Sequence, residues 1–121
     1  MSKKRILLVD DESGFTRLLH LTLPQYEICE ENNALKAIQT ARKFKPDMIF
    51  LDVIMPDADG GTIAAQMQED PMLKGIPIVF LTAIVSPQET STTKEIGGYE
   101  FLAKPVGREQ IIECITKHLG P

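Results

Sequence analysis

The sequence predicts an α/β protein in which helices cover both faces of a parallel sheet. Short apolar runs alternate with longer amphipathic stretches five times along the chain, and Gly and Pro residues lie at the edges of the apolar runs. With 121 residues, 43% of them hydrophobic, the chain has the size of one domain with a continuous core. We therefore expect a single domain over residues 1–121.

The apolar runs predict five strands and suggest their order. The runs cover residues 6–9, 26–30, 48–51, 78–81 and 99–102. The first, third and fourth runs are wholly apolar, which is typical of central strands buried on both faces, whereas glutamates interrupt the second and fifth, as edge strands allow. Right-handed crossovers then favour the order 2-1-3-4-5, the flavodoxin-like doubly wound sheet.

Apolar residues at helical spacing predict one buried face on each of four helices. These residues are Phe15, Leu18, Leu19 and Thr22; Leu35, Ile38 and Ala41; Ile63, Ala64 and Met67; and Ile111, Ile112, Ile115 and Leu119. A further helix, fourth in chain order, is predicted to start at a capping box over residues 86–89 and to end at Gly97. Its run of Thr and Ser is a poor helix former, so we expect this helix to be mobile.

Charge and composition exclude several classes of protein. The net charge is −4, and no Lys/Arg cluster follows residues 3–5, so direct binding to nucleic acid is not expected. The first apolar run is too short for a signal peptide or a membrane span, which favours a cytoplasmic protein without membrane contact. Cys29 and Cys114 are expected to be reduced core thiols. His20 and His118 have no carboxylate or Cys partner in a metal-ligand pattern and are expected to be helix-surface residues.

Polar residues lie at or just after the ends of four of the predicted strands. Asp10 and Asp11 follow the first strand, Asp52 the third, Thr82 the fourth and Lys104 the fifth. The ends of parallel strands meet at one edge of the sheet, so these groups should converge. Three neighbouring carboxylates need a compensating cation, and an all-oxygen donor set suits Mg²⁺. Asp52 is the best-placed nucleophile, because a carboxylate can form an aspartyl phosphate.

Alternative roles exist for individual residues. Asp10 or Asp11 could cap the first helix, Thr82 could start a helix, and Lys104 could be a solvated surface charge. Asp57 and Asp59, which precede Gly60, are interpreted as turn residues.

Four segments at characteristic spacing give the chain a family resemblance. Residues 8–12, 52–60, 81–83 and 101–105 resemble the motifs of receiver domains from two-component response regulators, and the resemblance covers essentially the whole chain. It implies that Asp52 accepts a phosphoryl group from a sensor histidine kinase or a phosphotransfer protein. It also implies that Asp11, Asp52 and the carbonyl of Ile54 ligate Mg²⁺ directly, and that Asp10 acts mainly through water.

The resemblance extends to residues that respond to phosphorylation. Lys104 would pair with the phosphoryl oxygens, the Thr82 hydroxyl would swing towards one of them, and a cis peptide bond at Pro105 would place Lys104. Phe101 would turn inward with Thr82, although it could equally be a fixed core residue. The face formed by the fourth helix, fifth strand and fifth helix would then switch, to reach an effector domain or protein or to form a homodimer.

The expected activity is limited to the protein's own phosphorylation and dephosphorylation, so the chain is not predicted to be an enzyme that turns over a separate substrate. Ile54 and Ile84 cannot hydrogen-bond a hydrolytic water, which predicts slow loss of the phosphoryl group. A haloacid-dehalogenase-type phosphatase would need an aspartate at Ile54, and the acidic first loop does not suit the phosphate of a flavin. A degenerate receiver that acts only as a protein-interaction module remains the alternative.

Overall fold

A six-stranded sheet forms the centre of the computed structural model, which describes residues 3–56, 58–83, 95–96 and 99–121. Its strands are β1 (Arg5–Val9), β2 (Glu27–Glu31), β3 (Met48–Asp52), β4 (Ile78–Thr82), β5 (Glu95–Ile96) and β6 (Tyr99–Ala103). The helices are α1 (Ser13–Thr22), α2 (Ala37–Phe44), α3 (Gly60–Glu69) and α4 (Arg108–Leu119), and a short 3₁₀ helix (Ala34–Lys36) precedes α2. The predicted fifth strand and fifth helix correspond to β6 and α4.

The order of the strands is β2-β1-β3-β4-β6-β5. The first five run parallel, which confirms the predicted order 2-1-3-4-5 and the flavodoxin-like α/β fold. The two-residue strand β5 was not predicted, and it pairs antiparallel with β6. The capping box at residues 86–89 and most of the predicted fourth helix lie outside the described residues, but its last residues, Glu95 and Ile96, belong to β5 instead.

The alternation of side chains along the strands divides the core into two layers. In β1, Leu7 and Val9 face the layer that contains residues of α2 and α3, whereas Ile6 and Leu8 face the layer that contains residues of α1 and α4. Every residue of β3 and β4 is buried, as expected for central strands. Each fully buried Leu, Ile or Phe stabilises the fold by about 1.5–3 kcal/mol relative to exposure, so the two layers hold the strand ends in fixed positions.

Two predicted core positions are wrong. Leu18 is 61% exposed and Leu35 is 71% exposed. In α1 the buried residues are Leu19, as predicted, and Thr16, which was not predicted. The Thr16 hydroxyl is satisfied there, since it donates to Glu30 Oε1 at 3.1 Å and accepts from Asn32 at 2.9 Å. No helix within the described part of the chain is long and apolar enough to span a membrane.

Candidate functional site

The predicted site residues meet in one cleft at the carboxyl ends of the parallel strands. Asp52 is the last residue of β3 and Thr82 the last of β4, while Asp10 follows β1 directly. The cleft has a volume of ≈ 250 Å³, and its lining consists of Asp11, Glu12, Asp52, Ile54, Thr82, Ala83 and Lys104. The sheet therefore gathers residues that lie up to 94 positions apart in the sequence, as Asp10 and Lys104 do.

Three carboxylates form the acidic part of the cleft. Oxygens of Asp10, Asp11 and Asp52 all lie within 4.8 Å of one another. Asp10 is fully buried and Asp52 is 5% exposed, while Asp11 faces solvent. Backbone N–H groups hold the two buried side chains, since Glu12 donates to Asp10 Oδ1 at 2.9 Å and Ile54 donates to Asp52 Oδ1 at 3.2 Å. The two buried carboxylates are thus fixed in orientation, and one exposed carboxylate adjoins them.

The Lys104 ammonium group lies among these acids. Its Nζ atom is 2.7 Å from Asp10 Oδ2, 2.9 Å from Glu12 Oε1 and 3.7 Å from Asp52 Oδ2. It also lies 4.7 Å from the centre of the Phe15 ring, a cation–π contact. The Lys104 backbone N–H donates to the Thr82 carbonyl at 2.8 Å, and the Lys104–Pro105 peptide bond is cis, the geometry that the resemblance implied.

The electrostatics of the cleft leave negative charge in excess. Burial raises the pKa of Asp52 to about 6, and repulsion from Asp10 adds to the rise. Burial acts to lower the pKa of Lys104, but its contacts with Asp10 and Glu12 outweigh that effect and place the pKa above the ordinary value. Lys104 is therefore protonated at neutral pH. Its positive charge does not fully offset the effects of burial and of Asp10, which still raise the pKa of Asp52.

The cleft fits a hard divalent cation. The donors are carboxylate oxygens, the ligands that Mg²⁺ prefers. Asp10 Oδ2 is buried and makes no hydrogen bond within the described residues; it faces Lys104 Nζ at 2.7 Å as an ion pair. An unsatisfied buried carboxylate oxygen next to two further carboxylates is what a cation or its bound water would satisfy.

The β3–α3 loop is fitted closely against Asp52. The Gly60 N–H donates to the Val53 carbonyl at 2.9 Å, and a Cβ atom on Gly60 would lie 2.4 Å from the Asp52 carbonyl oxygen. Any larger residue at position 60 would clash with the Asp52 backbone, so glycine is required there. Asp59 precedes it as the N-cap of α3, where its side chain accepts from the Gly61 N–H at 3.2 Å. Asp59 therefore has the turn role predicted for it, whereas Asp57 lies outside the described residues.

The structure decides between several of the alternative roles. The N-cap position of α1 is occupied by Glu12, so neither Asp10 nor Asp11 caps that helix. Thr82 is buried at the end of β4 and lines the cleft. Phe101 is buried in the same core cluster as Phe80, a position that both the switch role and the fixed-core role predict for it. The Ile54 side chain is exposed at the cleft, and Ile84 lies outside the described residues.

Two residues near the site were missed by the sequence analysis. Glu12 shares Lys104 with Asp10, so the prediction of three carboxylates at the site omitted a fourth acid. Glu12 directly follows Asp10 and Asp11 in the sequence, and this position could have indicated that it lies near the site. Asn32 donates to the Asp10 carbonyl at 2.7 Å and so ties the segment after β2 to the segment after β1. That contact depends on strand pairing, which no local pattern reveals.

The predictions for the two histidines are wrong in one respect. His20 Nδ1 lies 2.7 Å from Glu30 Oε2, and His118 Nε2 lies 2.9 Å from Glu100 Oε1. Each histidine therefore has a carboxylate partner, supplied by β2 or β6. Cys29 and Cys114 are free thiols, as predicted, but Cys114 shares a cluster with Glu100 and His118 that was not predicted.

A doubly wound α/β domain with an acidic cleft and a lysine at the carboxyl edge of its sheet defines the class of protein, and comparison with known proteins gives the family. The model of the response regulator receiver domain matches residues 6–116. This chain belongs to that family.

Relatives of known sequence and structure agree with this assignment. The chain is 38% identical over 104 residues to the response regulator PleD of Caulobacter vibrioides, of which it spans 23%. It is 26% identical to the polar-differentiation response regulator DivK of Brucella anthropi, with 97% of each chain covered. The structure of the chemotaxis protein CheY4 of Vibrio cholerae matches with a TM-score of 0.83 at 27% identity, and covers 98% of this chain and 100% of that one.

Proposed function

We propose that this receiver domain is an active phosphoacceptor that takes a phosphoryl group onto Asp52 with the help of Mg²⁺. The observation that carries the proposal is the cleft itself. The buried Asp52 carboxylate lies within 4.8 Å of the Asp10 and Asp11 carboxylates, and Lys104 Nζ lies 3.7 Å from Asp52 Oδ2. A degenerate receiver has no need for this arrangement, since a cluster of like charges around a buried acid costs stability.

The metal would be held by Asp11, Asp52 and the carbonyl of Ile54, with Asp10 acting through water. When bound, Mg²⁺ supplies positive charge against both the carboxylates and the phosphoryl oxygens. The Asp10 oxygen that lacks a hydrogen-bond partner supports this assignment. The exposure of Asp11 supports it too, because Mg²⁺ keeps several waters and needs an open side.

In the transfer step, an Asp52 carboxylate oxygen forms a bond to phosphorus while the P–N bond of a phosphohistidine breaks. The electron pair of that bond remains on the imidazole nitrogen, which leaves as neutral histidine once protonated. Lys104 would shift from Glu12 towards the incoming phosphoryl oxygens. Its position between Asp10 and Glu12, 2.7 and 2.9 Å away, supports this shift because Glu12 is exposed and easily released.

The response to phosphorylation would begin at Thr82 and Phe101. Thr82 ends the strand β4 at the cleft, and β4 pairs with β6, where Phe80 lies opposite Phe101. A phosphoryl group brings new acceptor oxygens for the Thr82 hydroxyl, and movement there would favour the buried position of the Phe101 ring. We propose that the face built from the predicted fourth helix, β6 and α4 transmits this change to an effector or to a second copy of the chain.

Mass spectrometry tests the proposal directly. Incubation with a small acyl phosphate and Mg²⁺ should add one phosphoryl mass to the wild-type chain. The variant Asp52→Asn should gain no mass, and wild type without Mg²⁺ should gain at least about tenfold less. An unmodified wild-type chain at saturating donor would instead support the alternative, a receiver that acts only by binding other proteins.

The phosphodonor would approach over an apolar groove that adjoins the cleft. Phe15, Leu18, Leu19, Pro105 and Val106 line this groove of ≈ 440 Å³, which shares Glu12, Ala83 and Lys104 with the cleft. Leu18 lines this groove and is exposed to solvent, so it does not pack against the core as its helical spacing predicted. An exposed apolar side chain beside a reaction site is typical of a protein contact.

A charge placed in the groove tests this docking route. Leu18→Glu should slow phosphorylation by a phosphorylated sensor kinase by about thirtyfold or more, because a hot-spot contact contributes about 2 kcal/mol or more and each 1.4 kcal/mol is about a factor of ten. The reaction with the small acyl phosphate should not change. Leu35→Glu, at a similarly exposed leucine on the 3₁₀ helix, is the matched control and should react with the kinase as wild type does. Equal slowing in both variants would contradict the route.

This proposal makes the protein a phosphoryl acceptor that catalyses only its own modification. A cytoplasmic location remains a prediction from the sequence.

A further inference from the structure

A second cluster of metal-ligating side chains lies between β6 and α4. Glu100 comes from the middle of β6, and Cys114 and His118 lie four residues apart on α4. Residues at this spacing share one helix face, so both side chains are directed towards the strand. None of the three lines the acidic cleft.

The distances fit a tetrahedral ion. One ligand atom from each residue lies within 4.8 Å of the other two. Cys114 Sγ is 3.9 Å from Glu100 Oε2, and His118 Nε2 is 2.9 Å from Glu100 Oε1. Zinc bond lengths imply ligand separations of about 3.3–3.6 Å in a tetrahedron, so small side-chain rotations would bring all three atoms into place.

The donor set separates this cluster from the acidic cleft. A thiolate, an imidazole and one carboxylate are the ligands of zinc, whereas the cleft offers oxygen alone. We propose that Glu100, Cys114 and His118 bind one zinc ion, with water in the fourth position, and that this ion clamps α4 to β6. The clamp joins two elements of the face through which the receiver is proposed to signal, but its formation does not depend on phosphoryl chemistry.

The neighbouring groups allow this site. Burial raises the pKa of the Cys114 thiol to about 12, and the Glu100 carboxylate adds to the rise, so the thiol is protonated without metal and would have to lose its proton when zinc binds. Burial acts to raise the pKa of Glu100, but hydrogen bonds from His118 and Lys117 outweigh it and hold the pKa below its ordinary value. Lys117 Nζ, 3.2 Å from Glu100, belongs to an exposed side chain that can move away.

Cobalt substitution provides a spectroscopic test. Co²⁺ added to the full chain should produce the near-ultraviolet absorption of a thiolate–cobalt bond, and excess Zn²⁺ should remove it. Cys114→Ser should abolish the band, while Cys29→Ser, the change at the other free thiol, should retain it. Asp52→Asn should also retain it, which separates this site from the acidic cleft and from the success or failure of phosphorylation.

A second variant covers the case in which Cys114→Ser fails to fold. His118→Gln changes an exposed residue and should weaken cobalt binding by about tenfold or more, whereas His20→Gln, at the histidine paired with Glu30, should not. Zinc should also protect Cys114 of the wild-type chain from alkylation. A wild-type chain without the band, a band that depends on Cys29, or equal binding by His118→Gln and wild type would overturn the proposal.

Discussion

Asp52 and Asp70 are both buried aspartates at the end of a secondary-structure element, yet their surroundings shift their pKa values in opposite directions. Asp70 follows α3, and its side chain is 4% exposed. It accepts from the Met72 N–H at 2.8 Å and from Arg42 Nε at 2.7 Å. Asp52 has one backbone donor at 3.2 Å, and Lys104 lies farther away at 3.7 Å.

The pKa values express this difference. The hydrogen bond from the Met72 N–H is the main cause that holds the pKa of Asp70 below its ordinary value; burial opposes it, and Arg42 lowers the pKa further. Burial raises the pKa of Asp52 to about 6, and Asp10 adds to the rise. Asp70 is thus a structural carboxylate with its charge satisfied, whereas Asp52 keeps lone pairs available for a cation and for phosphorus. The comparison shows what distinguishes a reactive buried acid from a structural one in the same fold.

Removing each charge should change stability with opposite sign. In metal-free protein near neutral pH, Asp70→Asn should lower the free energy of unfolding, because Arg42 and the Met72 N–H lose their ionised acceptor. Asp52→Asn should raise it by on the order of 2 kcal/mol, since a buried charge that is poorly compensated disappears. Urea unfolding measures both effects. A loss of stability in Asp52→Asn would contradict the inference that the Asp52 charge is less well compensated than the Asp70 charge.

The dependence on pH should also differ. The folded pKa of Asp52 exceeds the unfolded value of about 3.9, so its favourable contribution is present below that value and is lost as the pH rises through about 6. The pKa of Asp70 is lowered, so its contribution is present above about pH 3.9 and is lost as the pH falls further. The gain from Asp52→Asn should therefore be larger near pH 8 than near pH 4. Mg²⁺ should stabilise wild type near pH 8 and leave Asp52→Asn almost unchanged.

Substitutions at two glycines, Gly60 and Gly14, test how closely the β3–α3 loop is packed against the Asp52 backbone. Gly60→Ala should lower the free energy of unfolding by about 1–3 kcal/mol and slow phosphorylation, because the new Cβ would lie 2.4 Å from the Asp52 carbonyl oxygen. Gly14→Ala is the matched control in α1, where nothing lies within 4 Å of the new Cβ, and it should stabilise by about 0.5–1 kcal/mol. Urea unfolding and phosphoryl uptake measure these effects. An equal response to both substitutions would contradict the close fit at Gly60.

The sequence predicted the sheet and the acidic cleft because both follow from strands. Buried parallel strands form continuous apolar runs, and the residue after each run must lie at the same edge. Asp10, Asp52 and Lys104 could therefore be placed together without any knowledge of side-chain contacts.

The errors arise where burial or contact depends on packing between elements. Leu18 and Leu35 have helical spacing, but an apolar helix face can be wider than the surface that the sheet covers. Glu30 was correctly interpreted as the mark of an edge strand, whereas β6, which carries Glu100, is the last parallel strand but also pairs with β5 on its outer side. The histidine partners of both glutamates come from α1 and α4. The strand β5 was missed because Gly97 was interpreted as the end of a helix, while residues 95–96 instead cover the free edge of β6.

The smallest expected effect concerns the lifetime of the phosphoryl group on Asp52. Around Asp70, N–H groups surround the carboxylate, whereas the exposed Ile54 side chain at the cleft presents no hydrogen-bonding group to a hydrolytic water. Ile54→Asn should speed loss of the phosphoryl group by roughly 2- to 12-fold, which is the effect of one hydrogen bond of about 0.5–1.5 kcal/mol in the transition state. Ile54→Val keeps the position apolar and should lose the group at the wild-type rate. Release of phosphate from the purified phosphoprotein measures both rates, and slower loss from Ile54→Asn than from wild type would show that this side chain does not control access of water to Asp52.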